Sequence, residues 1–323
     1  MVGIIDIINV GLFAAALRLA TPLAYASLGG VFSERAGIVN VGLEGMMLIG
    51  AFSGVLTSFY TGNAWLGVLS AIFTGGLFGL LHGVLTVKFA GNQIVSGTGI
   101  NLFALGFTAY MSQAIWGSRG ASVSVPGIPI ISLQFLKDSN YLVKGLLLNF
   151  VPDMGDAFNT LFSQSPLVYI MFVVVVISYI VLFKTPLGLR IRAVGEHPAA
   201  ADTAGVNVYR TKYLCLIASG MLAGLGGVFL SLGILNIYVL NMTNGQGFVA
   251  LAAMILGRWK PFGALAASFM FGFLYALQIG LQSTGLLPSQ IALAIPYILT
   301  VIVLAGFVRK AKAPSDYKPY EKD

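Results

Sequence analysis

Residues 185–212 read TPLGLRIRAVGEHPAAADTAGVNVYRTK and separate two strongly apolar stretches. The segment carries Arg190, Arg192, Arg210 and Lys212. That assigns it to the cytoplasmic face of a membrane, where loops hold an excess of Lys and Arg. Its centre has the composition of a short helix. Pro198 suits a first helical position, Ala199, Ala200, Ala201 and Ala204 favour helix, and Gly205 can close it in the left-handed conformation. An alanine-rich helix of two turns has no core of its own and is marginal in isolation. A surface partner that accepts it is the economical explanation, and an ordinary loop that happens to be helical is the alternative.

The flanking apolar stretches belong to a pattern that runs through the whole chain. Of 323 residues, 57% are hydrophobic and only 9% charged, against about 25% charged in soluble domains. The mean hydropathy is +0.89. This is the composition of an all-α polytopic membrane protein. Glycine, at 40 residues, suits closely packed membrane helices, and Gly50-xxx-Gly54, Gly75-xxx-Gly79-xxx-Gly83 and Gly220-xxx-Gly224 are candidate contact faces. One cysteine, Cys215, excludes an intrachain disulfide and a cysteine metal cluster. The net charge of +7 is spread over membrane-flanking loops and does not point to nucleic acid. No cleavable signal peptide is expected, because the first 17 residues contain Asp6 and no Lys or Arg.

A helix needs about 20 apolar residues to cross a bilayer. Such runs occur near 8–32, 41–60, 64–87, 93–116, 166–183, 211–234, 262–283 and 287–307. A ninth, around 245–257, is short, begins Gly245-Gln246-Gly247 and reads as a broken helix. About nine spans, within a range of 8–10, are therefore predicted. With the loops at Arg35, Lys88, 184–212 and Arg258–Lys260 and the tail from Arg309 placed inside, 14 of the 18 basic residues are cytoplasmic. Arg119, Lys137 and Lys144 fall outside, and Arg18 lies within a span. This arrangement predicts an outside N-terminus and a cytoplasmic C-terminus.

An internal duplication is also legible. Leu28-Gly-Gly-Val-Phe32 recurs as Leu225-Gly-Gly-Val-Phe229, and Gly67–Gly83 aligns with Gly263–Ile279 at nearly the same offset. The predicted organisation is one transmembrane domain with an inverted-topology repeat. Its parts are repeat 1 at about 8–116, an outer loop 117–165, a linking helix 166–183, the cytoplasmic loop 184–212, repeat 2 at about 211–307 and a basic tail 308–323.

No phosphate-binding Gly-x-x-x-x-Gly-Lys-Ser/Thr loop is present, so the chain is not expected to hydrolyse ATP itself. The two histidines, His82 and His197, lie far apart in sequence, which makes a metal site or a Ser-His-Asp triad improbable. Polar residues at membrane depth mark function by default, and three stretches concentrate them. Ser33–Gly45 (SERAGIVNVGLEG) holds Asn40 and Glu44, whose spacing would place both on one helical face. Gly91–Asn101 holds Gln93, Ser96 and Asn101. Asn244–Gly247 holds Gln246 and is the repeat counterpart of the first. Asn40, Glu44, Gln93, Asn101 and Gln246 are the candidate substrate-pathway residues. The bland alternative makes Asn40 and Glu44 caps on helix ends.

At these residues the chain resembles the permease subunits of ATP-binding-cassette importers in the branched-chain amino acid, ribose and nucleoside group. Within it the chain is most similar to the shorter of two paired nucleoside permeases. The resemblance is carried by Arg18–Leu23, Leu28–Gly50, Asn92–Gly106, Gly188–Gly227 and Gly247–Gly263. It implies a type II importer permease in a bacterial plasma membrane, moving nucleosides by alternating access. It further implies a second homologous permease, a cytoplasmic ATPase that binds ATP and Mg, and an extracellular substrate-binding lipoprotein. No cofactor is implied for this chain. Residues 195–205 would be the coupling helix, with Gly195, Glu196, His197, Pro198, Ala199, Ala200, Ala201, Asp202 and Gly205 meeting the ATPase. Gln246 departs from the pattern, since many such permeases carry a basic residue there. Ribose or another sugar is the alternative substrate. An ion-coupled carrier using Glu44 is a different class, for which the Pro198 helix would have no purpose.

Overall fold

The computed structural model describes residues 10–131 and 161–284, with single positions between 290 and 301. Among these residues the regular structure is helical, with irregular chain between helices and isolated bridges pairing Ala121 with Val239 and Ile131 with Gln164. Helix α1 is Val10–Arg35, α2 is Leu43–Thr61, and α3 is Ala64–Gly83, which continues through a π-helical turn at Val84–Lys88. Helix α4 is Gln93–Trp116 and α5 is Pro166–Lys184, followed by α6 at Pro186–Glu196 and α7 at Pro198–Thr203. Helix α8 is Val208–Val228 with a π-helical turn at Phe229–Leu235, α9 is Gln246–Leu256 and α10 is Pro261–Thr284.

Local sequence explains most of these boundaries. Asn63, Asn92 and Asn207 cap α3, α4 and α8 by accepting amide hydrogens of their first turns. Gly62 and Gly117 end α2 and α4 in the left-handed conformation.

Seven of the described helices are long and apolar enough to cross a membrane. They coincide with the predicted spans from 8–32 to 262–283. The predicted count of nine is not reached by such helices. Helix α9 has 11 residues, about 16 Å at 1.5 Å per residue, which falls short of a hydrocarbon core about 30 Å thick. Irregular chain at 236–245 leads into it. Leu240 pairs with Gly120 at one end of the bundle, while Trp259, just past α9, meets Arg35 at the other. The predicted span 287–307, the tail, most of the outer loop and residues 1–9 lie outside the described residues.

Helix α3 packs along α8, α1 along both α10 and α8, and α2 lies between α3 and α8. The seam between α3 and α8 is built from the glycines singled out above. A Cβ on Gly75 would stand 2.2 Å from the Gly220 carbonyl oxygen, and one on Gly220 would stand 2.1 Å from that of Gly75. Backbones in such proximity gain dispersion contacts, which drive helix association where lipid removes the hydrophobic term. The Tyr25 hydroxyl, fully buried, donates to the Leu167 carbonyl at 2.7 Å and ties α1 to the start of α5.

Candidate functional site

Between α1 and α2 the chain leaves helical geometry for residues 36–42 and runs through the interior as a largely buried loop whose one polar side chain is Asn40. Gly37 turns it with φ +84°. Backbone amides and carbonyls buried there need partners, and α4 supplies several. Gln93 Oε1 accepts from the Val39 amide at 2.7 Å. Asn101 Oδ1 accepts from the Gly45 amide at 2.8 Å, and its Nδ2 donates to the Val41 carbonyl at 3.0 Å. Gly45 is required by this approach, since a Cβ there would lie 2.9 Å from the Asn101 Cα.

Asn40 is fully buried. Its Nδ2 donates to Ser219 Oγ on α8 at 2.9 Å, and its Oδ1 accepts from the Gly42 amide at 3.1 Å. The Glu44 carboxylate sits at the start of α2 and accepts three hydrogen bonds from the segment leading into α9. These come from Thr243 Oγ1 at 2.6 Å, the Gly245 amide at 2.8 Å and the Gly247 amide at 2.6 Å. A carboxylate at a helix N-terminus satisfies orphan amides and favours the helix dipole.

The structure therefore brings Asn40, Glu44, Gln93, Asn101 and the backbone of the Gln246 segment into one polar knot. It does not place Asn40 and Glu44 on a common helical face. Asn40 lies in the loop and points to α8, whereas Glu44 lies in α2 and points to α9. The regular spacing argument fails because the chain is not helical from 36 to 42 and α2 begins only at Leu43, after Gly42. Gln246 Oε1 is buried without a hydrogen-bond partner, and Arg18 is exposed on α1.

Sequence reasoning missed His82, which is fully buried in α3. Its Nε2 lies 3.2 Å from the Val39 carbonyl and its Nδ1 2.9 Å from Ser96 Oγ. A carbonyl only accepts, so Nε2 carries the hydrogen and Nδ1 accepts from the Ser96 hydroxyl. A lone histidine inside an apolar run was the available signal.

At the end of the bundle marked by Arg35, α1 meets α6, which carries Arg190 and Arg192. Arg35 Nε donates to the Trp259 carbonyl at 3.0 Å, and Trp259 Nε1 donates to the Glu34 carboxylate. The Arg35 and Arg192 guanidinium groups lie 5.4 and 5.3 Å from the Phe183 ring centroid. Gly195 rests on the backbone of α1: a Cβ there would be 2.1 Å from the Arg35 carbonyl oxygen. Helix α7 begins at Pro198, and Gly205, with φ +81°, follows its end. Ala201 turns inward against Val194 and Val208. Glu196, His197, Ala199, Ala200 and Gly205 are exposed, with Pro198 and Asp202 half-buried. The short helix is thus held from beneath and presents its outer side.

Residues 12–304 match the family model described as the permease component of branched-chain amino acid transport systems. The chain belongs to this permease family. The guanosine ABC transporter permease protein NupQ of Bacillus subtilis is 40% identical to this permease over 99% of this chain and 98% of its own. The nucleoside ABC transporter permease protein NupC of Lactococcus lactis is 40% identical over 92% of each chain. A putative glucose ABC transporter permease protein of Haloferax volcanii is 34% identical over 94% of this chain and 93% of its own. The first two organisms each also have a more distant relative, NupP and NupB, at 24% and 25% identity. This chain covers 78% and 81% of their lengths. No solved structure matches. The permease is a multi-pass membrane protein and a transport component rather than an enzyme.

Proposed function

We propose that this permease is the shorter of two membrane subunits in an ATP-driven nucleoside importer. The observation that carries the reading is 40% identity, over nearly the whole length, to permeases named for guanosine and for nucleosides. The second subunit would be a longer homologue, as NupP and NupB are beside NupQ and NupC. A cytoplasmic ATPase would bind ATP and Mg and receive α7, and an extracellular lipoprotein would deliver substrate.

The end that gathers Arg35, Lys88, the 184–212 segment and Arg258–Lys260 is assigned to the cytoplasm by the positive-inside rule. The pairing of α1 with α10 and of α3 with α8 is reciprocal, as a two-fold relation between repeats containing α1–α4 and α8–α10 requires. The polar knot forms the inner wall of the path. Asn40, Glu44, Gln93 and Asn101 hold its irregular backbone, and Gln246, half-buried with an Oε1 that finds no partner inside the bundle, is the side chain that would turn to a passing substrate. An ion-coupled carrier has no use for the exposed outer side of α7.

Uptake of radiolabelled guanosine by cells expressing the complete transporter tests the assignment. ATP-dependent uptake is expected, with competition by other nucleosides and none by glucose or ribose. Competition by hexose alone would favour the sugar reading, which the Haloferax relative supports.

A further inference from the structure

Helix α4 is the least buried of the seven spans, yet its mean hydropathy is 1.3 against 2.7 for the better-buried α5. A helix that simply faced lipid would show the opposite relation. On its open side, next to α3 and the π-helical turn, lies a cavity of about 510 Å³. Its walls include Leu85, Phe89, Val95 and Phe103, and its polar groups are Asn92 and Ser96. Phe103 is 54% exposed and continues a run of rings, 5.9 Å from Phe78 and 5.5 Å from Phe107, the latter nearly parallel at 14°.

Both polar groups retain capacity. Asn92 uses its Oδ1 to accept from the Ile94 and Val95 amides, which leaves Nδ2 as a donor. The Ser96 hydroxyl hydrogen is committed to His82 Nδ1, which leaves its oxygen as an acceptor. One apolar aromatic face with one donor and one acceptor beside it matches a nucleoside, whose base is flat and whose ribose hydroxyls both donate and accept. The volume is within the range of small-molecule sites.

We propose that this cavity is a transit site for nucleoside near the cytoplasmic end of the path, with the base stacked on Phe103 and the ribose between Asn92 and Ser96. The assignment rests on the nucleoside-importer reading. Stacking on an aromatic side chain tolerates any base, as a permease for several nucleosides needs. Ser96 also joins the site to the loop at Val39 through His82.

The complete transporter in membrane vesicles, photolabelled with 8-azidoadenosine, provides the test. Trypsin cuts after Lys88 and Arg119, so labelling is expected in the peptide 89–119. Phe103→Leu keeps an apolar side chain without the ring, and Asn92→Asp keeps the cap without the donor. Each is expected to lower that labelling and to raise KM for guanosine about tenfold, with normal complex yield. Wild-type uptake with label confined to other peptides overturns the site while leaving the importer reading intact. Labelling of 89–119 by a photoactivatable phospholipid but not by the nucleoside probe makes the cavity a lipid groove and also overturns it. Absence of guanosine uptake by the wild type removes the importer reading itself.

Discussion

The Gly247 amide donates to Glu44 Oε2 at 2.6 Å across 203 positions of sequence. This bond, with those from Gly245 and Thr243, closes the N-terminus of α9 inside the bundle. Glu44→Ala leaves two amides and a hydroxyl without their acceptor, at about 1–3 kcal/mol for each buried group left unsatisfied. A lowered melting midpoint of the purified complex is expected, larger for Glu44→Ala than for Glu44→Gln, which keeps one oxygen. Equal midpoints in all three proteins would show that α9 does not depend on this carboxylate.

Gly195 sets the seat of α7. Gly195→Ala forces a methyl group against the Arg35 carbonyl, 2.1 Å away, and should displace α6 and α7. Glu196→Arg reverses an exposed charge beside the short helix, one whose field reaches Arg35. Both variants are expected to lose most substrate-stimulated ATP hydrolysis, and Glu196→Arg to do so at normal complex yield. Full stimulation in Glu196→Arg would move the ATPase contact away from this surface.

The glycine seam separates packing from background glycine. Gly220→Val places branched carbons where the Gly75 carbonyl sits at 2.1 Å, and overpacking of this kind costs about 1–3 kcal/mol or more. On α4, a Cβ added at Gly106 would meet nothing within 4 Å, and alanine is the better helix former. Membrane yield, read by quantitative blotting, should fall severalfold for Gly220→Val and hold or rise for Gly106→Ala.

Sidedness is open to direct labelling. Cys215 is 2% exposed, and Cys215→Ser provides a cysteine-free background. An impermeant maleimide applied to intact cells is expected to modify Ser124→Cys and to spare Ala199→Cys, both at exposed positions. The reverse pattern would invert the proposed orientation.

The spans and the short helix were legible in residue order because their causes are local. A bilayer demands long apolar runs whose backbone bonds close within the segment, so α1 to α5, α8 and α10 fall where hydropathy places them. Pro198 and Gly205 bracket α7 through their own backbone preferences. The roles of Asn40, Glu44, Gln93 and Asn101 were not legible, although their residues stood out. Spacing suggested a shared face for Asn40 and Glu44, but the chain between them is not helical, and their partners are Ser219 and Gly247 from the second half of the chain. His82 likewise acquires meaning only from Val39 and Ser96. In a membrane, apolar residues line both the lipid face and the packed face of a helix, so periodicity does not say which helices meet. Only the assembled bundle decides where each buried polar group finds its partner.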